Sequence, residues 1–325
     1  MKKRMLSLLI AVFLLVSFTG CDLTETLGNV AQTLADKLNE SESSSVESKT
    51  TVYSIPTEDR AGNTISVPDT LTNIVSLSPS ITQNLLDLGL GDRLVGLDGA
   101  SASLSGVSAD ITVLDLQNLD STVLQQLEAQ IVFASAEAGE DPLSQLKGTG
   151  LCVVYLPESL SLNGVMEDIL FLGACTKTDE KAEEIVFSMI EQMNEIKEIA
   201  KTVTTPRTVY IETSAPFETV GSFTILNEMV ELAGGKNVFD DQQGVFTTTS
   251  EKVLSLNPEV ILLFQTGAEN ADPAAEISSR EGWEEISAVA NGAIYAFSFD
   301  YAQLDQSLTG YLRQVAQAIY PALYE

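Results

Sequence analysis

The chain of 325 residues contains no histidine. A serine or cysteine nucleophile therefore has no imidazole to take its proton, which excludes Ser-His-Asp and Cys-His catalysis. Adjacent carboxylates occur at Asp240-Asp241 and Glu284-Glu285. Neighbours in sequence need not converge on a substrate, so neither reads as a catalytic pair. Gly89-Leu90-Gly91 lacks the third glycine and the following helix of a dinucleotide site, and reads instead as a helix-ending turn before a strand at Leu94. The three cysteines, Cys21, Cys152 and Cys175, show neither CxxC nor zinc-finger spacing. The expectation is a binding module without catalysis, with no metal ligand set and no cofactor.

At the N-terminus, Met1-Lys2-Lys3-Arg4 precedes an apolar run from Met5 to Phe18. A charged start and a short apolar core are the marks of an export signal, and the run is shorter than the roughly 20 residues a spanning helix needs. It stops at Phe18-Thr19-Gly20-Cys21, which resembles the bacterial lipobox. That resemblance implies cleavage after Gly20, lipidation of the Cys21 sulfur and a mature protein anchored to the extracytoplasmic face of the membrane.

The formal charge is −29, and loss of Lys2, Lys3 and Arg4 would make it more negative still. So acidic a chain repels a phosphate backbone, so no nucleic-acid partner is expected. The acidity serves solubility and self-repulsion, and a monomer is expected. Residues 21–51 form the next segment, and Glu40 to Lys49 is polar, Ser-rich and free of aromatics. It reads as a disordered tether, with a reach of roughly 30 Å.

From residue 52 onward, apolar β-rich runs alternate with helical periodicity. Ile74-Val-Ser-Leu77 is followed by a helix near Ile81 to Leu88, and Leu94-Val-Gly-Leu97 by a loop. Gln130 to Ala134 is followed by a helix near Pro142 to Lys147, and Leu151 to Tyr155 by one near Leu162 to Leu172. This is the pattern of a parallel-sheet α/β lobe, residues 52–178. Apolar residues at Ala182, Ile185, Val186, Met189, Met193, Ile196 and Ala200 then predict one long helix within residues 179–203. A second series fills residues 204–325, with strands at Thr208 to Ile211, Val260 to Phe264 and Ala293 to Ala296 and helices near Ile225 to Ala233 and Ser307 to Ile319. Ser121 to Ala134 and Ser250 to Phe264 share one pattern: a capped short helix, a turn and a buried strand. Two similar α/β lobes with parallel sheets, joined by a single long helix, leave a ligand cleft between them. Cys152 starts a strand and Cys175 ends the helix that returns from it, so the two are either bridged or a pair of buried thiols.

In this order, several stretches resemble the periplasmic-binding-protein family that serves cobalamin and ferric-siderophore ABC transporters. They are Asn73-Ile-Val-Ser-Leu-Ser-Pro-Ser-Ile-Thr82, Gly89 to Gly96, Leu172-Gly-Ala-Cys-Thr176, Asn227 to Phe239, Val253 to Leu262, and Trp283 with Ala288 to Tyr295. The resemblance covers nearly all of residues 52–325. It implies a solute-binding protein of an ABC importer, two lobes joined by one helix, and capture of a corrinoid or an iron chelate such as a siderophore or haem for delivery to a membrane permease. The alternatives are a ligand sensor for a membrane receptor and, further off, a chelate-modifying enzyme. The absence of histidine sets the chain apart from zinc- and manganese-binding relatives.

The resemblance also implies site residues. An acid on the rim of each lobe pairs with permease arginines in this family. Glu251 matches one position; aligning Leu127 with Leu256 puts Thr122 opposite it, and the nearest acid on the first lobe is Asp120. Cleft loops are expected to present Ser78, Ser80, Asp98, Ser135, Glu137, Phe217, Phe246, Gln265, Asp300 and Tyr301 to the ligand. Arginines that family members use near the last loop are absent, since that stretch reads Ala302-Gln303-Leu304-Asp305. Arg60, Arg93, Arg207, Arg280 and Arg313 all fall outside the expected cleft loops. A neutral or cationic chelate, or a corrinoid held by apolar contact and hydrogen bonds, therefore suits the chain better than an anionic siderophore.

Overall fold

Strands form where apolar runs can bury both faces. In the computed structural model, which describes residues 54–135, 146, 148–265, 272–299 and 304–324, β1 (Ile74–Leu77) is buried along its whole length. It leads into α1 (Pro79–Asp87), whose first residue is a proline preset for a helix start. β2 (Leu94–Asp98), the short β3 (Thr112–Leu114), α2 (Ser121–Gln126), β4 (Ile131–Ser135), β5 (Cys152–Leu156) and α3 (Leu162–Thr176) complete the first lobe. Its sheet runs β3-β2-β1-β4-β5, with every pairing parallel. Within this sheet only β3 escaped the sequence reading, because three residues are too few to show a period. The helix expected near Pro142 to Lys147 falls outside the described residues.

The long helix α4 (Asp179–Ala200) follows, 22 residues and about 33 Å at 1.5 Å per residue. Ala182, Ile185, Val186, Met189, Met193 and Ile196 form its buried stripe. Asp179 and Glu180 sit in its first turn and Lys197 in its last, each at the end of the helix dipole that favours its charge. α3 lies close against it because residue 173 is glycine: a Cβ there would come within 2.5 Å of that of Ala182.

The second lobe comprises β6 (Thr208–Glu212), β7 (Glu218–Val220), α5 (Ile225–Leu232), β8 (Lys236–Asn237), β9 (Val245–Thr247), α6 (Ser250–Leu256), β10 (Val260–Gln265), α7 (Pro273–Ser278), α8 (Ser287–Ala290), β11 (Ile294–Ser298) and α9 (Leu308–Ile319). Its parallel sheet runs β11-β10-β6-β8. β8 covers only the start of β6; beyond it, β7 pairs antiparallel with β9 to make a separate ribbon. The described residues thus form an α/β fold, two parallel-sheet lobes joined by one long helix.

The repeat read from the sequence is present in the backbone. α2 and α6 each end in a left-handed residue, Glu128 (φ 49°) and Asn257 (φ 46°), before turning into β4 and β10. One apolar core runs from the first sheet through α4 to the second, joining Leu85, Leu172, Ile185, Met193, Ile196, Met229, Leu312 and Ile319. At about 1.5–3 kcal/mol per buried aliphatic side chain, this continuity fixes both lobes to α4.

Candidate ligand cleft

In open parallel sheets, ligands bind outside the carboxyl ends of the strands, at the point where strand order reverses. In the first lobe that point lies between β1 and β4, where Leu77 pairs with Ala134. The next residues along each strand are Ser78 and Ser135. In the second lobe it lies between β6 and β10, where Glu212 pairs with Leu263. There the segment Thr213 to Phe217 leaves one strand and Gln265 ends the other. Hydrogen bonds join the two lobes: the Leu162 N–H at the start of α3 donates to Glu228 Oε2 on α5 at 2.8 Å. Asn84 Nδ2 on α1 donates to the Leu304 carbonyl at 3.3 Å.

On the first lobe, Ser78 is buried and its hydroxyl lies 3.1 Å from that of Ser80. Behind them, Thr82 Oγ1 stands 2.8 Å from Ser76 Oγ and 3.0 Å from Ser101 Oγ. Asp98 accepts from the Ala100 N–H at 2.9 Å, the Ser101 N–H at 3.1 Å and the Ser101 hydroxyl. With 2% exposure, its carboxylate holds the turn after β2 in shape. Ser135 closes β4 and is buried. Glu137, Asp300, Tyr301 and Cys21 lie outside the described residues.

On the second lobe, the feature missed from sequence is an ion pair. Glu212 ends β6 with 2% exposure and receives Arg280 through two bonds, Nη2 to Oε1 at 2.6 Å and Nη1 to Oε2 at 2.8 Å. The Tyr210 hydroxyl (2.8 Å) and the Phe217 N–H (3.2 Å) also donate to Oε2. Glu276 takes the other side of the guanidinium at 2.8 Å. Burial opposes the charge on Arg280, but its hydrogen bonds to Glu212 and Glu276 outweigh that and raise its pKa. Burial, and then the Glu212 charge, push the Tyr210 hydroxyl up as well. The guanidinium lies 4.7 Å from the ring centres of both Phe217 and Trp283, and those rings meet edge to face at 6.0 Å. Arg280, outside the cleft loops expected from the sequence, is thus brought to the carboxyl end of β6. The signal was Glu212 itself, since an acid ending an otherwise apolar strand is buried and calls for a cation.

Phe217, half-buried, is held at φ 64° between two anchors: its N–H on Glu212, and its carbonyl, which accepts from the Thr248 N–H at 2.9 Å. Phe246 lies in β9 opposite Thr219, also half-buried, with its ring edge-on to Phe239 at 5.4 Å. Gln265 is half-buried, and its carbonyl accepts from the Phe299 N–H at 3.2 Å.

The rim acids are both exposed. Asp120 is the N-cap of α2, and bonds from the Thr122 N–H and hydroxyl hold its carboxyl below the usual range. Glu251 lies in the first turn of α6, and its own N–H followed by the Thr249 hydroxyl hold it low. Cys152 and Cys175 are free thiols, each raised chiefly by burial. Among the described residues, no cluster of three or more His, Cys, Asp or Glu side chains is placed to hold a metal ion.

Residues 74–301 match the model of a family described as periplasmic binding protein. The chain belongs to that family. It is 29% identical over 290 residues to an uncharacterized ABC transporter substrate-binding lipoprotein of Bacillus subtilis, covering 87% of this chain and 90% of that one. It is 25% identical over 195 residues to a vitamin B12-binding protein of Yersinia pseudotuberculosis, covering 59% of this chain and 69% of the relative. The fold is shared with a possible iron-binding periplasmic solute-binding protein of Staphylococcus epidermidis, at a TM-score of 0.68 and 24% identity, over 77% of this chain and 98% of the other. This periplasmic binding protein is accordingly a solute-binding component of an ABC importer, with the parallel sheets of both lobes inside the matched span.

Proposed function

We propose that the protein is lipid-anchored through Cys21 outside the membrane and carries a corrinoid, or an iron chelate without net negative charge, to its permease. The observation that carries this reading is the state of Arg280. The one arginine at the carboxyl edge of β6 is matched by Glu212 and Glu276, so it has no charge to spare for a ligand carboxylate. The other arginines point elsewhere. Arg60 pairs with Glu167 and Asp168, Arg207 binds the carbonyls of Ile319 and Glu259, Arg313 pairs with Glu195, and Arg93 precedes β2 at the amino end of the first sheet. What the described cleft edge offers is apolar and hydroxyl surface: Ser78, Ser80, Ser135, Phe217, Phe246 and Gln265. Such a wall suits a bulky ring system whose metal is already coordinated within its own chelate. The match to a vitamin B12-binding protein supports the corrinoid.

Delivery then requires docking, for which Glu251 and Asp120 are the proposed contacts to permease arginines. Both carboxyls are held ionised by their local hydrogen bonds. Glu137, Asp300 and Tyr301 complete the proposed ligand set.

The test is native mass spectrometry of the mature lipidated protein against cyanocobalamin, haemin, a neutral or cationic ferric hydroxamate and an anionic ferric catecholate. Retention of cyanocobalamin or the neutral or cationic chelate, with the catecholate rejected, is the expected result. Preferential retention of the anionic catecholate would overturn it.

A further inference from the structure

Phe223 combines two unfavourable features. Its side chain is 70% exposed and its backbone is left-handed, at φ 61°. That conformation suits glycine or asparagine, and a bulky aromatic residue there is a rare outlier that persists only when its surroundings impose it. They do so from both sides. The Ser222 N–H and hydroxyl both donate to the Gln242 carbonyl, at 2.8 and 2.7 Å, and the Ser222 carbonyl accepts from the Gly244 N–H at 3.0 Å. The Gly221 N–H reaches the Gly244 carbonyl at 2.8 Å, and the Thr224 hydroxyl binds back to the Gly221 carbonyl at 2.8 Å. Residue 221 must be glycine for this approach, because a Cβ there would lie 2.2 Å from the Gln242 oxygen. Phe223 is thus clamped in a strained conformation that presents its ring to solvent.

Its place in the fold gives that presentation a direction. Phe223 immediately precedes Thr224, the N-cap of α5, and Glu228 in the first turn of that helix is bonded to the Leu162 N–H of the other lobe. Two residues before Leu162, in the loop leaving the carboxyl end of β5, stands Leu160, 58% exposed. A large exposed apolar side chain therefore precedes each end of the lobe-to-lobe bond, Phe223 five residues before Glu228 and Leu160 two before Leu162. Val245, 61% exposed, is paired with Val220 on the ribbon and follows Gly244, which clamps Ser222.

We infer that Phe223 and Leu160 form an apolar clamp at the β5 and β8 side of the cleft, closing on the flat, apolar edge of a tetrapyrrole-like ligand. This rests on the corrinoid or chelate reading above and assigns it a specificity surface. Phe223 is a ligand-contacting residue set by backbone strain, and Leu160 is its counterpart from the opposite lobe.

The test titrates the mature lipidated protein with cyanocobalamin and haemin. Phe223→Gly removes the ring while leaving the residue best suited to a left-handed φ, so thermal stability should be unchanged or raised. Affinity for the bound probe should nonetheless fall about tenfold, as expected for loss of an aromatic contact. Leu160→Ser should weaken binding by about threefold to tenfold, Phe223→Trp should retain it, and Val113→Ser, an exposed position on the edge strand β3, should leave it unchanged. Wild-type binding with undiminished affinity in Phe223→Gly and Leu160→Ser would overturn the clamp alone. Failure of the wild type to bind either probe would overturn the clamp, and the ligand reading falls with it if the neutral or cationic ferric hydroxamate is rejected too.

Discussion

Asp120 and Thr249 occupy the same position in the two lobes. Each caps the short helix that leads into a central strand, Asp120 accepting from the Thr122 N–H at 2.8 Å and Thr249 from the Lys252 N–H at 3.3 Å. The register that sets Leu127 opposite Leu256 sets these two caps opposite each other, and Glu251 opposite Thr122. The acids proposed for docking are therefore not equivalent: Asp120 is first a cap, whereas Glu251 sits beside a cap supplied by another residue. Asp120→Asn, which preserves capping, should leave stability nearly intact, and Asp120→Ala should lower the melting temperature by a few degrees. Glu251→Gln should leave the melting temperature unchanged while reducing ligand uptake into vesicles bearing the permease by at least about tenfold, the loss of one charged interfacial contact. Undiminished uptake with Glu251→Gln would remove it from the docking surface.

The Glu212–Arg280 pair supports the second lobe and the Phe217 loop together. Glu212→Ala leaves a buried guanidinium with only Glu276, and breaking such a pair costs about 3–5 kcal/mol. Denaturant unfolding should show that loss. Glu212→Gln with Arg280→Met, which removes both charges, should recover much of it. Because the Phe217 N–H binds Glu212 Oε2, ligand affinity should fall in Glu212→Ala even under conditions where the protein is fully folded. Equal stability of Glu212→Ala and wild type would show that the pair contributes little.

Much of this architecture is legible in the sequence because each main element carries a complete local signal. β1, β4 and β10 are continuous apolar runs, and α4 repeats its buried residues at spacings of three and four without glycine or proline. β7, β8 and β9 carry no such signal: they have two or three residues each and are fixed by what they pair with. The site was less legible for the same reason. Ser78, Ser135 and Gln265 lie where recognisable strands end, whereas the bonds by which Asp98 holds its own turn have no sequence signal. Arg280 follows a short helix 68 residues after Glu212, and nothing local to either announces the other. Phe223 is a surface phenylalanine in the sequence, and only its φ distinguishes it.

Asp305 makes stability depend on pH. It is 4% exposed, and its pKa is raised by burial first, with the charge of Asp87 adding to that and bonds from Ser307 opposing it. A carboxyl whose folded pKa lies above its unfolded value favours the folded state when protonated. Its contribution is fully present below the unfolded pKa, near 3.9, and is lost as pH rises through the higher folded value. Asp305→Asn should therefore raise the melting temperature at neutral pH and flatten its dependence on pH across the mildly acidic range. A melting curve series from pH 4 to 7 that is parallel in wild type and variant would contradict this.

Glu228 is placed to limit how far the lobes move. Its carboxylate on α5 accepts the Leu162 N–H at the start of α3, and Lys197 on α4 lies close enough for its charge to stabilise it. Burial comes first among the causes and raises the Glu228 pKa, which marks the group as desolvated between the helices. The bond therefore joins one lobe to the other beside α4. With it intact, a corrinoid should change the radius of gyration only slightly, because the apolar core already fixes both lobes to α4. Glu228→Ala leaves the Leu162 N–H without its partner and should make the ligand-free protein more open in solution scattering, with a larger contraction on ligand binding and weaker affinity. Glu228→Gln keeps an acceptor at the same reach and should behave as wild type at neutral pH. If Glu228→Ala gives the same scattering as wild type with and without ligand, lobe closure is set by α4 and the core alone.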